Sequence, residues 1–281
     1  MSEQNKPAEC RLCPHKCILR SDQTGLCGTR KNVDGQIMSV SYGQVTSLAI
    51  DPIEKKPLYH FHPGTVILSV GGFGCNMKCP FCQNHGISQQ GIEVSQGYAS
   101  PRELLRIAQK ASTTAHSIGV AFTYNEPLVG YEFVRDTAKL VHEQGMFNVL
   151  VSNGTAERMV LEELAPHIDA MNIDLKGFSQ RYSRDVLGGD LEMVKAFIAR
   201  AAQLLHVELT TLIVPGENDS EAEMREMTAW IASLDETIPL HISRFFPRFQ
   251  MRDRPPTEVR KVYRLAEVAR ERLKYVYTGN C

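Results

Sequence analysis

The sequence has no surplus charge of either sign, no long uncharged apolar run, no internal repeat and no low-complexity tract. Its 31 Lys and Arg are balanced by 32 Asp and Glu among 281 residues, so the basic footprint of a nucleic-acid or anionic-membrane binder is missing. No stretch reaches the roughly 18–20 apolar residues that a transmembrane helix needs. The opening Met-Ser-Glu-Gln-Asn-Lys-Pro carries no apolar signal core. These absences predict a soluble, cytoplasmic protein without a membrane partner and without a nucleic-acid one.

Cysteine is plentiful, and its placement is informative. Seven of the eight cysteines fall in two tight clusters and Cys281 stands alone, a distribution that favours metal ligation over disulfides in a reducing compartment. Cys75, Cys79 and Cys82 follow the run Thr65–Gly71 and have no fourth ligand beside them. Cubane iron–sulfur clusters are normally closed by four cysteines, so a three-cysteine loop leaves one iron open to a substrate or cofactor. Zinc would fall short of its tetrahedral set there. Gly71, Gly72 and Gly74 let the backbone fold closely around a bulky inorganic core. The other cluster, Cys10, Cys13, Cys17 and Cys27, offers four thiolates, which suits either a closed zinc site or a second [4Fe–4S] cluster. His15 within it reads as a turn residue.

From Thr65 onward short β-rich runs alternate with amphipathic stretches, the pattern of a parallel sheet wrapped by helices. Strands are expected at Thr65–Gly71, Gly119–Thr123, Asn148–Ser152, Ala170–Leu175, Val207–Val214 and Pro239–Ser243, with a short closing strand at Tyr275–Tyr277. Helices are expected between them, the first marked by Ser100 as cap, Pro101 at the first helical position and Glu103 three after the cap. The fold class predicted is α/β, a partial (β/α)6 barrel over residues 65–281, with chemistry on the loops after the strands; an open sheet is the alternative. Residues 1–64 read as a cysteine-rich N-terminal extension carrying the second metal site, with a hairpin over Gly35–Ile50 around Tyr42-Gly43.

The Cys75-x3-Cys79-x2-Cys82 loop, with Phe81 before its last cysteine, resembles the radical S-adenosylmethionine (SAM) superfamily. That resemblance implies a [4Fe–4S] cluster whose open iron is chelated by SAM, reductive cleavage to a 5′-deoxyadenosyl radical, and hydrogen abstraction from a protein, peptide or small-molecule substrate. It implies an aromatic contact from Phe81 to adenine and a reductant such as flavodoxin or ferredoxin. Further motifs stand at successive strand ends. Tyr124-Asn125-Glu126-Pro127 occupies the place of the Gly-Gly-Glu-Pro of radical SAM activases, where Glu126 would accept from the SAM amino group beside Asn125; as residues alone, Asn-Glu-Pro is also an ordinary helix-entry turn. Ser152-Asn153-Gly154 is similar to a Thr-Asn-Gly that meets the ribose, and Val151 stands where relatives carry a cation-binding aspartate, so that cation is not expected. Asp174-Leu175-Lys176 matches an Asp-Leu-Lys whose lysine pairs with the SAM carboxylate, and Val214-Pro215-Gly216 would wall the adenine. His241 would lie beside SAM, although a lone histidine also reads as a satisfied core residue.

Together with Asp51-Pro-Ile-Glu-Lys-Lys-Pro-Leu-Tyr-His60 and His241-Ile-Ser-Arg-Phe-Phe-Pro247, these motifs resemble the radical SAM enzyme of the AmmeMemoRadiSam system, a pyruvate formate-lyase-activating-enzyme-like family. The resemblance implies an activating-enzyme-like oxidoreductase of anaerobic chemistry. The last residues, Thr278-Gly279-Asn280-Cys281, leave Cys281 as a free thiol, a stray ligand or a functional group. Glu54, Lys55, Lys56 and Tyr59 read either as substrate-side residues or as a solvated charged face.

Overall fold

The computed structural model describes residues 6–281, and its frame is one eight-stranded sheet. In chain order the strands are β1 (Ser47–Pro52), β2 (Val66–Gly71), β3 (Ser117–Phe122), β4 (Phe147–Ser152), β5 (Ala170–Asp174), β6 (His206–Ile213), β7 (Leu240–Arg244) and β8 (Val276–Gly279). Spatial order follows chain order without a swap. Pairing is parallel from β2 to β8, and β1 runs antiparallel to β2. Strands such as Val-Ile-Leu-Ser-Val-Gly in β2 are buried almost continuously, as expected where helices cover one face and the barrel core fills the other.

Six helices connect the parallel strands: α1 (Pro101–Ala115), α2 (Tyr131–His142), α3 (Arg158–Leu164), α4 (Leu191–Ala201), α5 (Glu221–Leu234) and α6 (Val259–Arg270). The expected start of α1 is realised in full: Ser100 Oγ accepts from the Glu103 amide while the Glu103 carboxylate accepts from the Ser100 amide. Leu104, Ala108 and Ala111 form its buried stripe. Six strand–helix units followed by β8 make the partial (β/α)6 barrel. No described helix is long and apolar enough to cross a membrane.

The N-terminal region departs from expectation in one respect. The hairpin lies earlier, pairing Arg30–Val33 with Gln36–Ser39 around Asp34-Gly35, both with positive φ, as a two-residue turn of this type requires. Ser47–Ile50, read from sequence as the end of a hairpin over Gly35–Ile50, instead belongs to β1, which satisfies the open edge of β2. The chain then passes under the barrel, where fully buried Ile53 and Leu58 pack with Ile67, Val149 and Ala170. The opposite end, at the strands' C-termini, is left for the site.

Candidate active site

A cavity of about 580 Å³ opens at the C-terminal ends of the strands. Cys75, Cys79, Phe81 and Cys82 line it from the loop after β2, Tyr124, Asn125 and Glu126 from after β3, and Asn153 from the end of β4. Asp174 and Lys176 enter from β5, Leu212 from β6, Arg244 from β7 and Asn280 from after β8. Residues separated by about two hundred positions therefore meet because the strand order is sequential.

Two of the three thiols are held in the protonated form by burial. Burial pushes the Cys75 thiol well above its usual range and that of Cys79 up to about 11. Since thiolate is the ligand form, loading a metal releases protons. Among the described residues no three His, Cys, Asp or Glu side chains are drawn together tightly enough to hold a metal ion; these thiols instead rim a wide space, a donor set suited to a polynuclear cluster. Tyr182, fully buried in the same apolar cluster as Cys79 and Phe81, has a hydroxyl without a hydrogen-bond partner among the described residues. Met77 N–H and Asn153 Nδ2 point at Cys75 Sγ, at 3.3 and 3.6 Å.

Glu126 is 2 % exposed and is held from three sides. It accepts from Ser152 Oγ at 2.8 Å, from the Asn153 amide at 2.7 Å and from the Leu128 amide at 3.0 Å. Burial nonetheless pushes its carboxyl up to about 7, which leaves it short of one cationic partner. Lys176 Nζ lies 2.6 Å from Asp174 Oδ2; burial opposes its charge, and the carboxylate and nearby thiols more than compensate, holding its pKa above the usual value. The cavity thus offers a buried carboxyl and a half-buried cation beside three thiols, which is complementary to a zwitterionic amino-acid group.

Residues 69–228 match the family described as the Radical SAM superfamily. The chain belongs to the radical SAM superfamily. It is 40 % identical over 99 % of its length to the uncharacterized protein MJ0808 of Methanocaldococcus jannaschii, covering 82 % of that protein. It is 24 % identical over 60 % of its length to the pyruvate formate-lyase 1-activating enzyme of Escherichia coli, covering 71 % of it. In fold it resembles SuiB of Streptococcus suis bound to S-adenosylmethionine, with TM-score 0.59 and 12 % identity over 74 % of this chain and 48 % of that one. It also resembles QueE from Escherichia coli, with TM-score 0.52 and 11 % identity over 84 % and 92 %. Radical SAM membership implies an enzyme with an iron–sulfur cluster and bound SAM.

The structure brings most of the sequence-predicted residues into one cavity. Cys75, Cys79, Cys82, Phe81, Asn125, Glu126, Asn153, Asp174 and Lys176 all line the cavity. Asn125 is occupied in scaffolding: its Oδ1 accepts from the Gly72 amide and its Nδ2 donates to Phe73 O, which fixes the cluster loop. Ser152 does not reach the cavity, because its hydroxyl is spent on Glu126. His241 is not among the cavity-lining residues expected beside SAM, and takes instead its other reading, a satisfied core histidine. It is the second residue of β7, in the half away from the site, and its Nε2 donates to the fully buried carboxylate of Glu208 at 2.7 Å. Val214 is buried against Phe81 and Phe245 rather than in the cavity wall. The Asp51–His60 segment also lies outside the cavity lining, and Lys56 within it is buried against Asp51.

The four N-terminal cysteines are free thiols, Cys10 and Cys13 buried and Cys17 and Cys27 half-buried. Cys10 feels the charge of Cys17 and Cys27, and Cys13 that of Cys10 and Cys27; burial raises both, Cys13 to about 11. This group abuts the cluster loop directly. The Cys75 amide donates to Cys27 O at 3.2 Å, and His15 Nε2 donates to Asn76 O at 2.7 Å, a contact that no local pattern around His15 announces.

Proposed function

We propose that the protein is a hydrogen-abstracting radical SAM enzyme in which Cys75, Cys79 and Cys82 hold a [4Fe–4S] cluster and Glu126 and Lys176 take the amino and carboxylate groups of SAM. When bound, cluster and SAM supply a one-electron cleavage of a carbon–sulfur bond and a 5′-deoxyadenosyl radical. The protein's own work is positional. Glu126, organised by Ser152 and the Asn153 amide, receives an ammonium; Lys176, kept charged by Asp174, receives a carboxylate; Phe81, set edge-on to Phe245 at 6.3 Å, offers a ring to the adenine; Asn153, which also lines the cavity, is assigned to the ribose. The observation that carries this reading is that three thiols and both charged anchors line one cavity.

Similarity to pyruvate formate-lyase-activating enzymes favours a glycyl-radical activase, an oxidoreductase fed by flavodoxin or ferredoxin, whose target is a protein; radical modification of a peptide or small molecule is the runner-up. Cys10, Cys13, Cys17 and Cys27 are proposed to hold a second centre, zinc or iron–sulfur. The test of the main reading is anaerobic reconstitution with iron and sulfide, then dithionite and SAM, with 5′-deoxyadenosine as readout. Wild type should form the nucleoside and Cys79→Ala none; an intact cluster that yields none in wild type overturns the proposal and leaves an electron-transfer or binding protein.

A further inference from the structure

Tyr124 adopts φ +74°, a left-handed conformation that strains a bulky residue and that glycine enters freely. The tyrosine is nevertheless held there by a dedicated anchor. Its hydroxyl donates to Asp51 Oδ2 at 2.6 Å, and the same oxygen accepts from Lys56 Nζ at 2.7 Å and Ser69 Oγ at 2.8 Å. Lys56, 2 % exposed, stands 4.8 Å above the Tyr124 ring. Gly71 makes room for that ring, since a Cβ there would come within 2.9 Å of it. On the other side, the Tyr124 carbonyl accepts from Asn84 Nδ2 at 2.8 Å, just after the cluster loop.

We infer that Asp51 and Lys56 are positioning residues for the SAM site: by gripping the Tyr124 side chain from behind, they hold its backbone in the left-handed turn that aims Asn125 and Glu126 into the cavity. The inference rests on the SAM-site reading above for its consequence and on the anchor geometry alone for its mechanism. Asp51 and Lys56 serve the turn although neither lines the cavity, and the anchor substitutes for the conformational freedom of glycine. Lys55, at 3.3 Å from Asp51 Oδ1 and largely exposed, adds charge at the rim of the same carboxylate.

The test uses the full chain. Tyr124→Phe keeps the ring and removes only the bond to Asp51; Lys56→Met keeps the aliphatic stem and removes the cation. In the cluster-free protein, hydrogen–deuterium exchange at the Asn125 and Glu126 amides should accelerate on the order of tenfold in Tyr124→Phe, the loss of one hydrogen bond to a charged acceptor. In the reconstituted protein, SAM binding measured by equilibrium dialysis should weaken on the order of tenfold in either variant. The deciding comparison is rescue. In a Tyr124→Gly background, where no anchor is needed, adding Lys56→Met should change SAM affinity less than about twofold. Equal losses in both backgrounds, or exchange in Tyr124→Phe matching wild type, overturn the inference. Absence of SAM binding in wild type would instead sink the SAM-site reading, while the exchange measurement still decides the anchor.

Discussion

Glu208 is fully buried and stays ionised because four donors converge on it: the Tyr59 and His60 amides at 3.0 and 2.7 Å, His206 Nε2 at 3.0 Å and His241 Nε2 at 2.7 Å. Burial works against the charge, and the two histidines and two amides outweigh it, drawing the carboxyl down to about 2. A depressed folded-state value means the stabilisation is present above the ordinary glutamate range and is lost as pH falls from about 4.5 towards 2. Wild type should therefore exceed Glu208→Gln by on the order of 3 kcal/mol at pH 6, measured by urea unfolding, with the gap closing near pH 2. A gap independent of pH would refute this account. The same residue explains why the sequence leaves two readings of His241 open. Its neighbourhood is set by residues 59, 60 and 208, far apart in sequence, and nothing in His-Ile-Ser-Arg reveals which end of the strand the histidine occupies. Asp174 and Lys176 were legible because they close a strand directly, and a strand end in such a barrel is already a place.

At the scale of elements, the cluster loop is shaped by what presses on it from the N-terminal region. Gly74 has φ +82°, and a Cβ there would fall 2.4 Å from both Cys27 O and Thr29 Cγ2. Gly74→Ala combines left-handed strain with a backbone collision, so it should cost about 2 kcal/mol or more and lower the iron retained after reconstitution. Gly86→Ala, in open space on the helical turn His85–Ser88, should keep wild-type iron content; equal retention in the two variants would count against the packing argument. The barrel's strands and helices were visible in the sequence through periodicity and caps. The role of Ser47–Pro52 was hidden, because an antiparallel edge strand and a hairpin arm share one alternating pattern, and only the unpaired edge of β2 decides between them.

At the scale of the molecule, the two cysteine sets are mechanically continuous through the hydrogen bonds from the Cys75 amide to Cys27 O and from His15 Nε2 to Asn76 O. Short strands such as Ala8–Glu9 and Ile18–Leu19 give the N-terminal region little ladder of its own, so metal should carry much of its order. Metal analysis should find either one zinc or four irons beyond the barrel's cluster. A chelated chain should show faster amide exchange across residues 8–33 than a loaded one, with β3 to β6 unchanged. Exchange across residues 8–33 that ignores metal, together with no metal beyond the first cluster, would remove the second centre.

The strictly sequential strand order has one more consequence. Each wall of the cavity is contributed by a different stretch of chain, from Cys75 after β2 to Asn280 after β8. The thiols and both charged anchors come from the ends of β2 to β5, whereas the remaining wall comes from β6 to β8, so the full enclosure should appear only when the last strand docks. A growing or partly unravelled chain lacks the enclosure needed to start a radical it cannot contain.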